Sequence, residues 1–193
     1  MEPVEFADRW NDYMVRTGLT PKFSLYRLPK PDTRLSLTAS DFLVTAGLPS
    51  AAGLSFSQLL NELERVSEVY NRGQGWSADD RERLQPYLLL GNDDGANPIC
   101  LNTANQERII FLNHERNLAI AEFVNSGVAQ MAQCILVYQE LVEKYQNEYG
   151  EEAELYEGSV PSNLVEQTFE RFRLIDSACV EGHCYWLRTL EDI

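Results

Sequence analysis

The residues of this sequence best suited to chemistry are carboxylates in turns. Asn92-Asp93-Asp94-Gly95 is the most carboxylate-dense of them. Paired carboxylates could hold a hard cation, but such a site needs further oxygen ligands that the surrounding sequence does not supply. The same four residues between two apolar runs are also what a tight hairpin demands. Glu107 and Glu115 bracket His114, and a Glu–His pair could do acid–base work. The composition of that segment equally suits an exposed hairpin end. Cys179 and Cys184 flank His183, which raises zinc. The gap of Val180-Glu181-Gly182-His183 is wide for a zinc pair, and Cys100 and Cys134 belong to other elements, so no four-ligand set forms. Trp76 follows the glycine-containing break Asn71-Arg72-Gly73-Gln74-Gly75, where an aromatic either anchors a partner or tucks against the fold. A Gly-x-Ser-x-Gly elbow and a phosphate-cradling Gly-rich loop are both missing. Catalytic, cofactor and metal assignments are therefore none. Trp76, Asp93, Asp94, Glu107 and Glu115 stand as candidate partner-binding residues. An enzyme built on Asp93, Asp94 and Glu107 is the alternative.

Charge narrows the partners. The formal net charge is −14 with a sequence pI of about 4.5. Binding nucleic acid requires clustered cations that displace counterions, and this chain has the opposite field. Anionic membranes are disfavoured for the same reason. A basic protein partner is favoured, because complementary fields speed encounter. Met1-Glu2-Pro3-Val4-Glu5 is acidic where a signal peptide needs a basic region, and no apolar run approaches the roughly 20 residues of a membrane span. A soluble, cytoplasmic protein is expected.

The elements that must position these residues centre on Tyr87 to Tyr149. Tyr87–Leu90, Pro98–Leu101 and Arg108–Leu112 are short apolar runs separated by turn chemistry, and Ala119–Val124 is a fourth. From Val128 the apolar positions Val128, Met131, Ala132, Ile135, Val142, Tyr145 and Tyr149 recur at helical spacing. Asn125 or Ser126 is placed to cap that helix. The spacing also predicts a first helix over Val4–Arg16 stopped by Gly18, and an extended connection over Pro21–Arg34. A capping box at Thr38–Asp41 would open a short helix ending at Gly47. Leu59, Leu60, Leu63, Val66 and Tyr70 suggest a further helix of about three turns. Asp79–Arg83 and Glu148–Glu157 read as solvated charge, the latter as a loop insertion. Ser162 or Asn163 caps a helix carrying Leu164, Val165, Phe169, Phe172 and Ile175, and a closing segment packs Trp186 and Leu190. The 193 residues thus suit one α+β domain with a mostly antiparallel twisted sheet and helices on one face. Residues 1–34 form a helix and connection, and 35–193 the core.

The order of Asp41-Phe42-Leu43, Gly47-Leu48-Pro49, YLLLGNDD, ICLN and FVNSGVAQM resembles the SUKH superfamily, nearest to its bacterial immunity-protein subgroup. Arg173-Leu174-Ile175-Asp176 followed by Tyr185-Trp186 is similar to the end of that subgroup. One departure is the hairpin after Asn102, where Thr103-Ala104-Asn105-Gln106 replaces a usual Thr-Gly turn and leaves the register open. The resemblance implies a non-enzymatic protein that binds and neutralises a cognate toxin domain, such as a nuclease, in the producing bacterium. Regulatory scaffolds of the same superfamily are the other function it allows. Because the cysteines lack a four-ligand set, a chelator is expected to leave the melting temperature unchanged. A loss of several degrees restored by zinc would make Cys179–Cys184 a metal site.

Overall fold

The computed structural model describes residues 1–19, 24–70, 76–150, 153–156 and 158–193. The chain begins with α1 (Pro3–Thr17), whose Phe6, Trp10 and Tyr13 are buried and whose stop is Gly18 at φ +65°. β1 (Leu25–Tyr26) pairs antiparallel with β2 (Leu48–Pro49), and α2 (Leu37–Thr45) lies between them in sequence. Gly47 sits at φ +75°, and a Cβ there would lie 2.2 Å from the Tyr26 carbonyl. Only glycine tolerates both demands.

β3 (Leu54–Ser55), β4 (Tyr87–Asp93), β5 (Pro98–Asn102), β6 (Arg108–Asn113) and β7 (Ala119–Asn125) form one five-stranded antiparallel sheet in sequence order. Side chains alternate across it. Leu88, Leu90, Ile99, Leu101, Ile109 and Phe111 point into the main core, and Tyr87, Leu89, Cys100, Ile110 and Leu112 into a smaller cluster on the opposite face. The main face is covered by α5 (Val128–Tyr149), flanked by α1, α2, α6 (Ser162–Ile175) and α7 (Tyr185–Glu191). The expected α+β sheet with its helical layer is present. The smaller cluster lies beneath α3 (Val66–Val69) and α4 (Ala78–Leu84), which contribute Val66 and Leu84. Burial on both faces is why these strands read as continuous apolar runs rather than as alternation.

Several local expectations are corrected. The helix expected over Leu59–Tyr70 is a 3₁₀ turn at Ser57–Leu60, an extended stretch and the single turn of α3. Leu59 and Leu63 enter the main core while Val66 enters the opposite cluster, so the chain crosses the sheet edge between them. The Leu89 amide donates to the Glu64 carbonyl on the way. A helix cannot cross an edge this way, and pairing with β4 wins over apolar spacing. The turn expected at Gly91–Gly95 begins later, because β4 runs to Asp93 through a bulge between Leu89 and Gly91. Gly91 stays in the strand because a Cβ there would stand 1.9 Å from the Ser55 carbonyl.

The cap of α2 is Ser36, whose Oγ accepts from the Ala39 amide at 3.2 Å, so Thr38 lies inside the helix. α4 incorporates the mixed-charge run Asp79–Arg83 behind a Ser77 cap. Pro161 precedes α6 in place of a Ser162 or Asn163 cap, and of the expected stripe Phe172 alone is fully buried. The break at Asn71–Gly75 lies outside the described residues.

The open register resolves as Asn102 opposite Arg108. Without glycine, Gln106 and Glu107 take the left-handed conformation at φ +52° and +60°. α5 runs unbroken over the predicted range, with Val128, Met131 and Ile135 buried and Val142 half-buried beside the buried Leu141. Ile135 is fully enclosed. Ile135→Ala is expected to cost roughly 2–5 kcal/mol in urea unfolding, and a loss under about 1 kcal/mol would deny α5 its place as the core helix.

Candidate functional site

The antiparallel meander sorts the candidate residues. The β4–β5 turn and the loop after β6 lie at one end of the sheet, and the β5–β6 turn at the other. Asp93, Asp94 and Glu115 therefore share an end, and Glu107 is at the opposite one. The candidates are thus not gathered at one edge of the sheet, and Asp93, Asp94 and Glu107 do not converge on a reaction centre.

At the shared end Asp93 accepts from the Asn97 amide at 2.7 Å and from Asn97 Nδ2 at 3.0 Å. Asn97 Oδ1 accepts from the His114 amide at 3.2 Å and lies 2.9 Å from His114 Nδ1. His114 is thus tied to Asn97 and not to a glutamate. Asp93 and Asn97 together lock the β4–β5 turn to the loop after β6. Asp94 is exposed, its amide donating to the Gly53 carbonyl at 3.1 Å. Glu115 is exposed on a 3₁₀ turn whose cap, Asn113 Oδ1, accepts from the Glu115 and Arg116 amides at 2.9 Å.

That loop folds over the second face of the sheet. Arg83 of α4 holds it by donating to the Asn117 and Leu118 carbonyls at 2.8 and 2.9 Å. Trp76 is half-buried against the second-face cluster, as are Val69 and Tyr70. Tyr70 in turn donates to Asn92 Oδ1 at 3.1 Å, next to Asp93. At the far end the Glu107 carboxylate accepts from the Ser36 amide and hydroxyl at 2.5 and 2.6 Å. Glu107 therefore pins the β5–β6 hairpin to the start of α2, where a carboxylate is favoured by the free amides of the helix N-terminus.

Sequence reading missed a buried polar centre. Asn125 and Ser126 do not cap α5, whose N-cap position is taken by Gly127. Asp176 Oδ2 accepts from the Ser126 amide at 2.7 Å and from Asn125 Nδ2 at 3.1 Å. Its Oδ1 accepts from the Ser126 hydroxyl at 2.9 Å. Asn125 Oδ1 accepts from Trp186 Nε1 at 2.8 Å. Asn125 is wholly buried and Asp176 nearly so. The signal was present in the motif residues Val-Asn-Ser, Arg-Leu-Ile-Asp and Tyr-Trp, which lie far apart in sequence and meet here.

The cysteines lie close to this centre. Cys134 Sγ is 3.9 Å from Cys179 Sγ and 3.5 Å from Asn125 Nδ2, and Cys184 Sγ donates to the Cys179 carbonyl at 2.9 Å. Burial pushes the Cys134 thiol well above its usual range. These thiols pack as small apolar groups. His183 lies exposed, with Nε2 3.9 Å from Glu122. No helix of the described residues is long and apolar enough to cross a membrane.

Among the described residues no buried side-chain nitrogen or oxygen lacks a hydrogen-bond partner. The family model of SUKH-4 immunity proteins matches residues 24–192, and the chain belongs to that family. Neither a curated protein nor a solved structure matches it. Packing explains residues of the motifs quoted above: Gly47 and Gly91 by close backbone approach, Asn125, Ser126, Asp176 and Trp186 by one buried network. Asp176→Ala would strand three donors at once, and an expected loss of about 3 kcal/mol or more follows from the cost of unsatisfied buried groups. Trp186→Phe, which strands one acceptor, should cost about 1–3 kcal/mol in the same denaturation experiment. A smaller loss for Asp176→Ala than for Trp186→Phe would refute the central role of the carboxylate.

Proposed function

We infer that the protein is a non-enzymatic immunity protein, which protects the cell that makes it by binding a cognate toxin domain in the cytoplasm. The match of residues 24–192 to SUKH-4 immunity proteins carries this reading. The strongly acidic chain supports a basic toxin surface, such as that of a nuclease, since an enzyme that acts on nucleic acid needs cations where it holds its substrate. An acidic protein seated there blocks the substrate by occupying the same charge.

The shared end of the sheet supplies one set of contacts. Asp94 and Glu115 face solvent and would steer encounter, whereas Asp93 is engaged in holding the turn. Trp76, half-buried at the margin of that end, would be the apolar anchor. Rim charges act mostly on association and anchors mostly on dissociation. Replacing Asp94 and Glu115 by Lys is therefore expected to slow association about tenfold at low salt and to flatten its salt dependence, with little change in dissociation. Co-expression with toxin domains of the kind that SUKH-4 immunity proteins accompany tests the function itself. Cells that die as readily with this protein as without it would remove the immunity reading.

A further inference from the structure

Half of the net charge sits in one stretch. From Tyr145 to Glu170 the sequence holds seven glutamates and no lysine, arginine or histidine, against −14 for the whole chain. Elsewhere many carboxylates have a cation beside them. Arg16 meets Glu143 and Arg188 meets Glu122, each at 2.7 Å, and Lys30 meets Glu62 at 2.5 Å. Among the described residues of this stretch, Glu170 alone has an ion-pair partner, Arg173 at 3.3 Å.

The stretch also leaves apolar surface uncovered. α6 fully buries only Thr168 and Phe172. Val165 and Phe169 are half-buried, and with Glu166 and Glu170 they line a shallow depression of about 340 Å³. The 22 residues of α5 extend about 33 Å. Beyond the buried Tyr145 its last residues, Asn147 to Tyr149, are exposed. There the Tyr149 ring packs at a tilt against Tyr145, centroids 4.8 Å apart, and remains 52% exposed. Tyr156, in the connection that follows, is 66% exposed.

Tyrosines give large contact area for little lost freedom, and carboxylates among them suit ammonium and guanidinium heads whose alkyl stems lie along the rings. A neutral partner covering this surface would strand its glutamates without water, whereas a basic one pairs them. We propose that the outer surface of α6, with the exposed end of α5, is a docking face for the lysine- and arginine-rich surface of the toxin domain. It is separate from the turn at Asp93, and it rests on the immunity reading above. Arg173, 5.0 Å over the Phe169 ring, already shows how a guanidinium sits in this setting.

The probe is the catalytically inactivated domain of the toxin that this protein neutralises in co-expression, titrated against the full-length protein by calorimetry. E166R/E170R is expected to weaken binding about a hundredfold with helicity and melting temperature retained. The matched pair D8R/D12R, on exposed residues of α1, makes the same change in net charge and should weaken it no more than about threefold. Tyr156→Ala, which alters neither charge nor helix, should speed dissociation about tenfold. Equal weakening by the two charge pairs, or unchanged binding by both E166R/E170R and Tyr156→Ala, would overturn the docking face. A wild-type protein that does not bind this domain at all would overturn the immunity reading, and the face with it.

Discussion

The Asp176 carboxylate is the interaction on which the rest of the structure depends. It stands at the C-terminal end of α6, buried, and it binds the backbone and side chain of Ser126 where β7 turns into α5. Through Asn125 the same network reaches Trp186 on α7. Sheet, central helix and the last two helices are thereby fixed against one another at a single point. An anion in an apolar interior is tolerable only when donors surround it, and here three donors meet one carboxylate. Around it Trp186 packs on Phe172, Tyr138 and Tyr185 with ring centroids 4.9–6.1 Å apart. The apolar shell strengthens each bond and leaves the network no room to serve a ligand.

A second constraint is the sheet edge at β3 and β4. The chain must pass from the main core to the opposite cluster within the few residues from Leu63 to Val66, and it does so in extended form, bonded to the β4 backbone. This lets short, weak helices such as α3 and α4 cover a face that could not otherwise be apolar. It also brings Arg83 over the loop after β6, so the carboxylates at that end of the sheet stand on a clamped loop and not on a free one. Loops held from behind lose less entropy when a partner orders them.

Charge is distributed with a purpose that composition conceals. Most of the few cations tie elements together: Arg16 joins α1 to α5, Arg188 joins α7 to β7, and Arg171 joins α6 to Glu140 of α5. Holding Glu143 beside Arg16 keeps its carboxyl below the usual range. Once these pairs are made, exposed carboxylates outside them remain at the sheet end (Asp94, Glu115), on α1 (Asp8, Asp12) and on α6 (Glu166). The placement of these carboxylates, more than their sum, decides which surface a basic partner would meet.

Sequence alone determined α5 to its end residues, because 22 residues of apolar spacing leave no competing structure. It also located β4 to β7 as short apolar runs bounded by turns, though not the continuation of β4 to Asp93, and it pointed to the SUKH superfamily. The antiparallel meander even contained the separation of Glu107 from Asp93 and Asp94, since successive turns alternate ends. Tertiary structure alone decided the rest. The spacing of Leu59, Leu63 and Val66 is helical, yet these side chains serve opposite faces of a sheet, and periodicity carries no record of which face a residue will meet. Asn125 and Ser126 are good helix caps by type, but a carboxylate 50 residues away offers them stronger bonds. The run from Glu148 to Glu157 reads as solvated charge, and nothing in the spacing of α6 after it tells that Val165 and Phe169 stay only half-buried. In the first two cases a local preference worth about 1 kcal/mol met a long-range contact of larger free energy, and the contact prevailed.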